Sequence, residues 1–265
     1  MALRRHKAKE QADNPEKEMS VSGHLKELRN RIVICLLVFL VATVIAIAYS
    51  PNIVSFLLEM GTAYGYEYIY ISPQELLMQY FSVSIIVGVL VAMPVILYHI
   101  WAFIQPGLKE NENRFFLFSM IFGVICFCIG VYFAYRVMLP FMLEFLISVN
   151  TTATEITASI TVEKYINFLT TIFIIFGVVF ELPMLSILLT NFGLMKPEWM
   201  KKGRKVAIVI IFLIAAVVTP PDIVSQVMVA VPMICLYQIS IYLSALVIKL
   251  KGKNADPEDE DDLEI

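Results

Sequence analysis

The chain reads as an all-α integral membrane protein of six transmembrane helices, with both termini cytoplasmic and a short fifth helix. Three observations predict it. Hydrophobic residues make up 59% of the 265 positions and charged residues only 16%, whereas a soluble domain carries roughly 45–50% and 25%. The mean hydropathy is +0.77. The apolar residues fall into long runs separated by short polar ones, which lipid accommodates and a soluble fold of this size does not.

A spanning helix needs about 20 mostly apolar residues. The first candidate is 32–49, which contains no charge. The second, 78–103, has Pro94 inside, and the third is 115–135. The fourth, 165–189, is interrupted by Glu181. The fifth, 206–218, has 13 residues and spans only about 20 Å at 1.5 Å per residue. The sixth, 223–248, has Pro232 inside. Only Thr219-Pro220-Pro221-Asp222 separates the last two, and two prolines without N–H groups force a turn there. A polar cytoplasmic arm (1–20) precedes this membrane region (21–250), and an acidic cytoplasmic tail (251–265) follows it. The arm is too long and too acidic for the first span to read as a cleavable signal peptide.

Orientation follows from lysine and arginine. The chain before Ile32, the 104–114 loop, the 190–205 loop and the chain from Lys249 onward carry 18 of the 20 bases. The opposite side carries only Arg136 and Lys164. An even number of spans and a plasma (inner) membrane location with the bases inside satisfy this bias. Two segments on the other side are more than linkers. Residues 52–79 hold Tyr64, Tyr66, Tyr68 and Tyr70 in alternation, and 138–148 is amphipathic. Tyrosine suits a membrane interface, so both read either as a cap lying on the outer surface or as ordinary interfacial loops.

The polar residues inside the spans are few. Glu181 lies in Phe180-Glu181-Leu182-Pro183. A carboxylate at mid-helix costs at least about 2.5 kcal/mol on insertion scales and faces a bundle interior or a wet cavity. Pro183 removes the donor for a carbonyl one turn back, so the pair predicts a bent helix lining a polar recess; a structural carboxyl bonded to a neighbouring helix is the plainer alternative. Ahead of the first span, His24, Glu27 and Arg31 share one helical face and Leu25, Leu28 and Ile32 another. Taken alone, that pattern is an ordinary i,i+4 ion pair at a helix start. Cys35, Cys126, Cys128 and Cys235 all lie in apolar runs and behave as small hydrophobes. No nucleotide-binding loop, nucleophile elbow or zinc-protease motif occurs, so neither a cofactor, a metal nor an enzymatic activity is expected. Nothing in the chain reads as a nucleic-acid surface.

Five segments in order resemble the TatC family: His24-Leu25-Lys26-Glu27-Leu28-Arg29-Asn30-Arg31, the stretch from Pro94 to Ile104, Pro106-Gly107-Leu108 with Glu112 following, Phe180-Glu181-Leu182-Pro183, and Thr219 to Gln226. The resemblance covers about residues 20–250. It implies a concave, glove-like six-helix bundle that is the receptor for twin-arginine signal peptides and the core of a translocase that exports folded proteins on the proton-motive force. Implied partners are precursor proteins, the lipid bilayer, a TatA-type single-span subunit with or without a TatB-type one, and further copies of the chain in a homo-oligomeric complex. It also implies that Glu27 and Glu112, with His24 and Arg29 beside the first, bind the signal peptide. Glu181 and Pro183 become the intramembrane polar site, and Thr219 and Gln226 the partner contact. An arginine fork accepted by a carboxylate is physically apt, because lysine cannot copy its bidentate geometry. Asn113 and then Arg114 follow Glu112 where family members often have a basic residue at once, and Glu110 competes for the same role. The other reading is a proton-coupled secondary transporter of small solutes using Glu181; such folds carry internal repeats, and the two halves of this chain show none.

Overall fold

A computed structural model describes residues 21–104, 113–151 and 159–253. The helices are α1 (Val21–Thr62), α2 (Pro73–Ile104), α3 (Asn113–Phe133), α4 (Leu139–Thr151), α5 (Val162–Val179), α6 (Leu182–Asn191), α7 (Pro197–Val218) and α8 (Ile223–Lys253). Two three-residue strands, β1 (Glu67–Ile69) and β2 (Ser159–Thr161), pair in parallel with Tyr68 opposite Ile160. The protein is a multi-pass membrane protein. Among the described residues, five stretches are long and apolar enough to span: Leu25–Thr62, Pro73–Ile100, Phe118–Ser148, Val162–Asn191 and Ile223–Leu250. The remaining helix, α7, has 22 residues, but its first turns hold Lys201, Lys202, Arg204 and Lys205. Its apolar part is the short fifth segment expected from the sequence.

Several helices outrun their predicted spans. α1 continues through Pro51 to Thr62. A proline deprives the carbonyl four residues back of its donor; the buried Ser50 hydroxyl supplies one, donating to the Ile47 carbonyl at 2.8 Å. The third predicted span does not end at 135. A π turn, Ala134–Met138, joins α3 to α4, closed by the Leu139 N–H donating to the Ala134 carbonyl. Pro140 follows directly and cannot donate to the Arg136 carbonyl, so a local change of helical period carries the rod onward. The expected amphipathic stretch is therefore the continuation of a membrane helix. Its Met138, Leu139, Met142 and Leu143 are buried, while Phe141 is exposed.

α5 is the centre of the bundle. Tyr165, Ile166, Leu169, Ile172 and Phe176 lie fully buried along one face at helical spacing. α3 crosses it at two glycines, an arrangement membrane helices use to bring backbones close. A Cβ on Gly130 would stand 2.6 Å from the Phe176 carbonyl oxygen, and one on Gly177 would stand 2.7 Å from the Phe127 ring. α1 lies at the periphery against α2, where Gly88 admits Thr43. Its apolar residues, such as Leu37, Val41 and Val44, face outward as lipid-facing side chains do.

The face remote from the basic loops is closed by the tyrosine segment. Tyr68 meets Tyr165 edge-on at 4.9 Å between ring centroids, and Tyr66 lies 6.2 Å from the same ring. The Tyr165 hydroxyl donates to the Leu57 carbonyl at 3.0 Å. Tyr70 is exposed, so the alternating tyrosines divide between packing and interface.

Candidate functional site

Three clusters hold the polar residues singled out by the sequence. On the basic face, Glu27 and Arg31 are one helical turn apart on α1. Arg31 Nε donates to Glu27 Oε1 at 3.0 Å, and Nη2 donates to the same oxygen. Nη2 also donates to the Ala102 carbonyl near the end of α2, at 3.0 Å. The guanidinium thus pins the Glu27 carboxylate against the α1–α2 junction, with His99 within electrostatic range. The two side chains remain 22% exposed, so the pair is half-wet. Arg29 points into solvent beside it. His24 occupies the preceding turn of α1. Glu112, in the loop between α2 and α3, lies outside the described residues, as do Glu110, the arm 1–20 and residues 254–265 of the tail. The junction of Glu27 with Glu112 therefore rests on chain order: the loop leaves α2 two residues past Ala102 and enters α3 at Asn113.

The second cluster is the break between α5 and α6. The fourth span is not one helix. α5 stops at Val179, Phe180 and Glu181 form a turn, and α6 starts at Leu182 with Pro183 in its first turn. Proline at that position needs no donor, so it starts a helix as readily as it interrupts one. Both Glu181 carboxylate oxygens are buried and have no hydrogen-bond partner among the described residues. Cys126 of α3 lies within electrostatic range of that carboxylate. Pro183 is buried, and its carbonyl accepts from the Ser186 hydroxyl at 2.8 Å.

The third cluster is the α7–α8 turn. The buried Thr219 hydroxyl donates to the Ala215 carbonyl at 2.9 Å. Asp222 caps α8, accepting from the Ser225 N–H at 2.6 Å. Gln226 Nε2 reaches back to the Phe212 carbonyl at 3.0 Å. Thr219 and Gln226 therefore first of all hold the hairpin shut. Around them Val217 and Ile223 are 81% and 78% exposed, an apolar surface flanking the turn.

Glu75 is a fourth carboxylate that sequence reasoning missed. It is buried at the start of α2 and accepts from the Ile71 N–H at 2.8 Å and the Glu163 N–H at 3.0 Å. It thereby ties the first turn of α2 to the first turn of α5. The signal was present as Ser72-Pro73-Gln74-Glu75, a Ser-x-x-Glu capping box with proline at the first helical position.

Comparison with known proteins decides the family. The model of the family described as Sec-independent protein translocase protein (TatC) matches residues 23–232. The chain belongs to the TatC family. Among TatC relatives, the Sec-independent protein translocase protein TatC of Aquifex aeolicus is 36% identical over 235 residues, covering 88% of this chain and 98% of that one. The TatC of Listeria innocua is 36% identical over 250 residues, covering 90% and 96%. A crystal structure described as the twin arginine translocase receptor TatC superposes with a TM-score of 0.79 at 36% identity, covering 85% of this chain and 99% of that one. The fold and the protein-translocase reading expected from the five segments are thereby established, and the small-solute transporter reading is the less supported of the two. Four of the five segments that carry the TatC resemblance fall at the three clusters and the end of α2; the fifth, Pro106-Gly107-Leu108 with Glu112, lies outside the described residues.

Proposed function

We propose that this TatC-family chain receives the arginine pair of a twin-arginine signal peptide at Glu27 and Glu112 and forms the core of a Tat translocase exporting folded proteins on the proton-motive force. The observation that carries the reading is the Glu27–Arg31–Ala102 junction. It holds a carboxylate in a half-wet position at the membrane surface, with its local counter-ion an arginine. An incoming guanidinium offers the same planar fork as Arg31 and suits the same carboxylate. Glu112 supplies the second carboxylate for the second arginine, and His24 and Arg29 bound the approach on α1.

In this reading Glu181 and the α7–α8 turn face a TatA-type single-span helix, alone or with a TatB-type one, in a complex holding several copies of the chain. The two unpartnered Glu181 oxygens support it, because a buried carboxyl needs a donor or a proton from outside the described residues. Helical rise supports it as well. Glu181 lies ten residues before the end of α6, about 15 Å from the basic side, and the 13 apolar residues of α7 set Thr219 at about 20 Å from it. A polar side chain on one crossing helix reaches both depths. The chain works by binding and assembly; it is not read as an enzyme.

The test places a photo-crosslinking residue at 30 or 113, beside Glu27 and Glu112 and leaving both carboxylates in place, in full-length protein with a radiolabelled precursor. Crosslinks to the arginine pair from both positions are expected, and their loss when the pair is changed to lysines. Crosslinks to the arginine pair from position 217 instead would overturn the assignment.

A further inference from the structure

We propose that the cleft between α6, the start of α7 and α8 is a binding site for an anionic phospholipid, with an acyl chain inside and the headgroup at the basic rim. A cavity of about 310 Å³ opens there, walled by Leu182, Leu185, Leu189, Trp199, Tyr237 and Ser240. Its polar groups are occupied with protein. The Tyr237 hydroxyl donates to the Met200 carbonyl at 2.9 Å, and the Ser240 hydroxyl to the Leu236 carbonyl at 2.8 Å. With the Ser186 hydroxyl also donating to backbone carbonyls, the serine and tyrosine hydroxyls of the wall are all engaged and the wall offers mainly hydrocarbon contact, which suits an acyl chain and not a polar metabolite. Trp199 is 59% exposed and Leu185 38%, so both stand at the mouth, towards the bilayer.

Charge selects the headgroup. The entry to α7 exposes Lys196, Lys201, Lys202, Arg204 and Lys205 against the single carboxylate of Glu198. Arg204 lies within electrostatic range of the Tyr237 hydroxyl on the cavity wall. Basic side chains at the inner headgroup level attract anionic lipid, and here they stand beside an apolar cavity of defined shape. A partner's transmembrane helix would need a complementary acidic or neutral end at this rim; a phosphodiester matches it directly. The occupant is accordingly a lipid such as phosphatidylglycerol.

The chain has two tryptophans, so the Trp101→Phe variant leaves Trp199 as the only reporter. The full-length variant is reconstituted into nanodiscs doped with brominated phosphatidylglycerol or brominated phosphatidylcholine, and Trp199 quenching is titrated. Phosphatidylglycerol is expected to reach half-maximal quenching at a mole fraction roughly fivefold lower. The preference should vanish in K196Q/K201Q/R204Q. It should also vanish in L189F, which fills the cavity while leaving the surface charge intact. Native mass spectra of the wild-type protein should retain phosphatidylglycerol over phosphatidylcholine, and those of L189F should not. Equal quenching by the two lipids would overturn the proposal. So would a preference unchanged in L189F, which marks diffuse surface attraction. Failure of either lipid to quench would assign the cleft to a protein helix.

Discussion

Replacing Gly130 by alanine tests the α3–α5 crossing on which the position of Glu181 depends. An alanine Cβ at 130 would lie 2.6 Å from the Phe176 carbonyl oxygen and 2.8 Å from the Phe180 Cβ. Neither atom is the free end of a flexible side chain, so the helices themselves must part. Overpacking of this kind costs about 1–3 kcal/mol. Alanine recovers roughly 0.5–1 kcal/mol of helix propensity over glycine, leaving a net loss of up to about 2.5 kcal/mol, near 1 kcal/mol at mid-range. Gly203 in α7 is the matched control, because its Cβ would meet nothing within 4 Å. Thermal unfolding of both variants in the same detergent should show G203A at or above the wild-type midpoint. G130A should fall several degrees below it, at roughly 2–4 °C per kcal/mol for a chain of this size. Phe180 immediately precedes Glu181, so G130A should also displace the carboxyl and impair export more than its loss of stability explains. A G130A protein as stable as G203A would refute the close crossing.

Ser50→Ala should destabilise by about 1–2 kcal/mol in denaturant titrations, because it orphans the Ile47 carbonyl that Pro51 leaves without a donor; combining it with Pro51→Ala should restore most of that loss, and a double variant as weak as S50A would contradict the pairing. Glu181→Cys, which replaces a carboxyl whose two oxygens are buried, should resist a water-soluble maleimide in the isolated chain; prompt labelling there would mean that a wet recess opens onto position 181. Gln226→Leu removes the only side-chain donor shown reaching the Phe212 carbonyl and should raise protease cleavage at the α7–α8 turn while α1–α5 stay resistant; unchanged cleavage would mean that the turn prolines alone close the hairpin.

Much of the architecture could be read from residue order, and the exceptions have physical causes. The short fifth helix followed from 13 apolar residues between Lys205 and Thr219, and the structure keeps it as the apolar part of α7. The break at Glu181 followed from a carboxylate next to Pro183, and the structure divides the span there. The far end of α1 was hidden because Pro51 normally argues against a helix interior, and only the Ser50 side chain offsets it. The π turn was hidden because a change of period over five residues leaves no trace in hydropathy. Of the candidate sites, the Glu27–Arg31 pair was visible as an i,i+4 spacing. Its tie to Ala102 joins residues 71 apart in sequence, and no local pattern encodes it. Glu75 could have been found from its capping box, but the bond to Glu163 that makes it a link between helices could not.

Binding of a twin-arginine signal peptide to wild-type protein, E27Q, E112Q and the double variant, each against the peptide and its two-lysine form, examines the receptor assignment most directly. Each single change should weaken the arginine peptide about tenfold or more, the scale of one charge-assisted hydrogen bond at a half-wet site. Both should narrow the gap between arginine and lysine peptides, and the double variant should nearly abolish it. An affinity within twofold of wild type in both single variants, with arginine still preferred over lysine, would contradict the account.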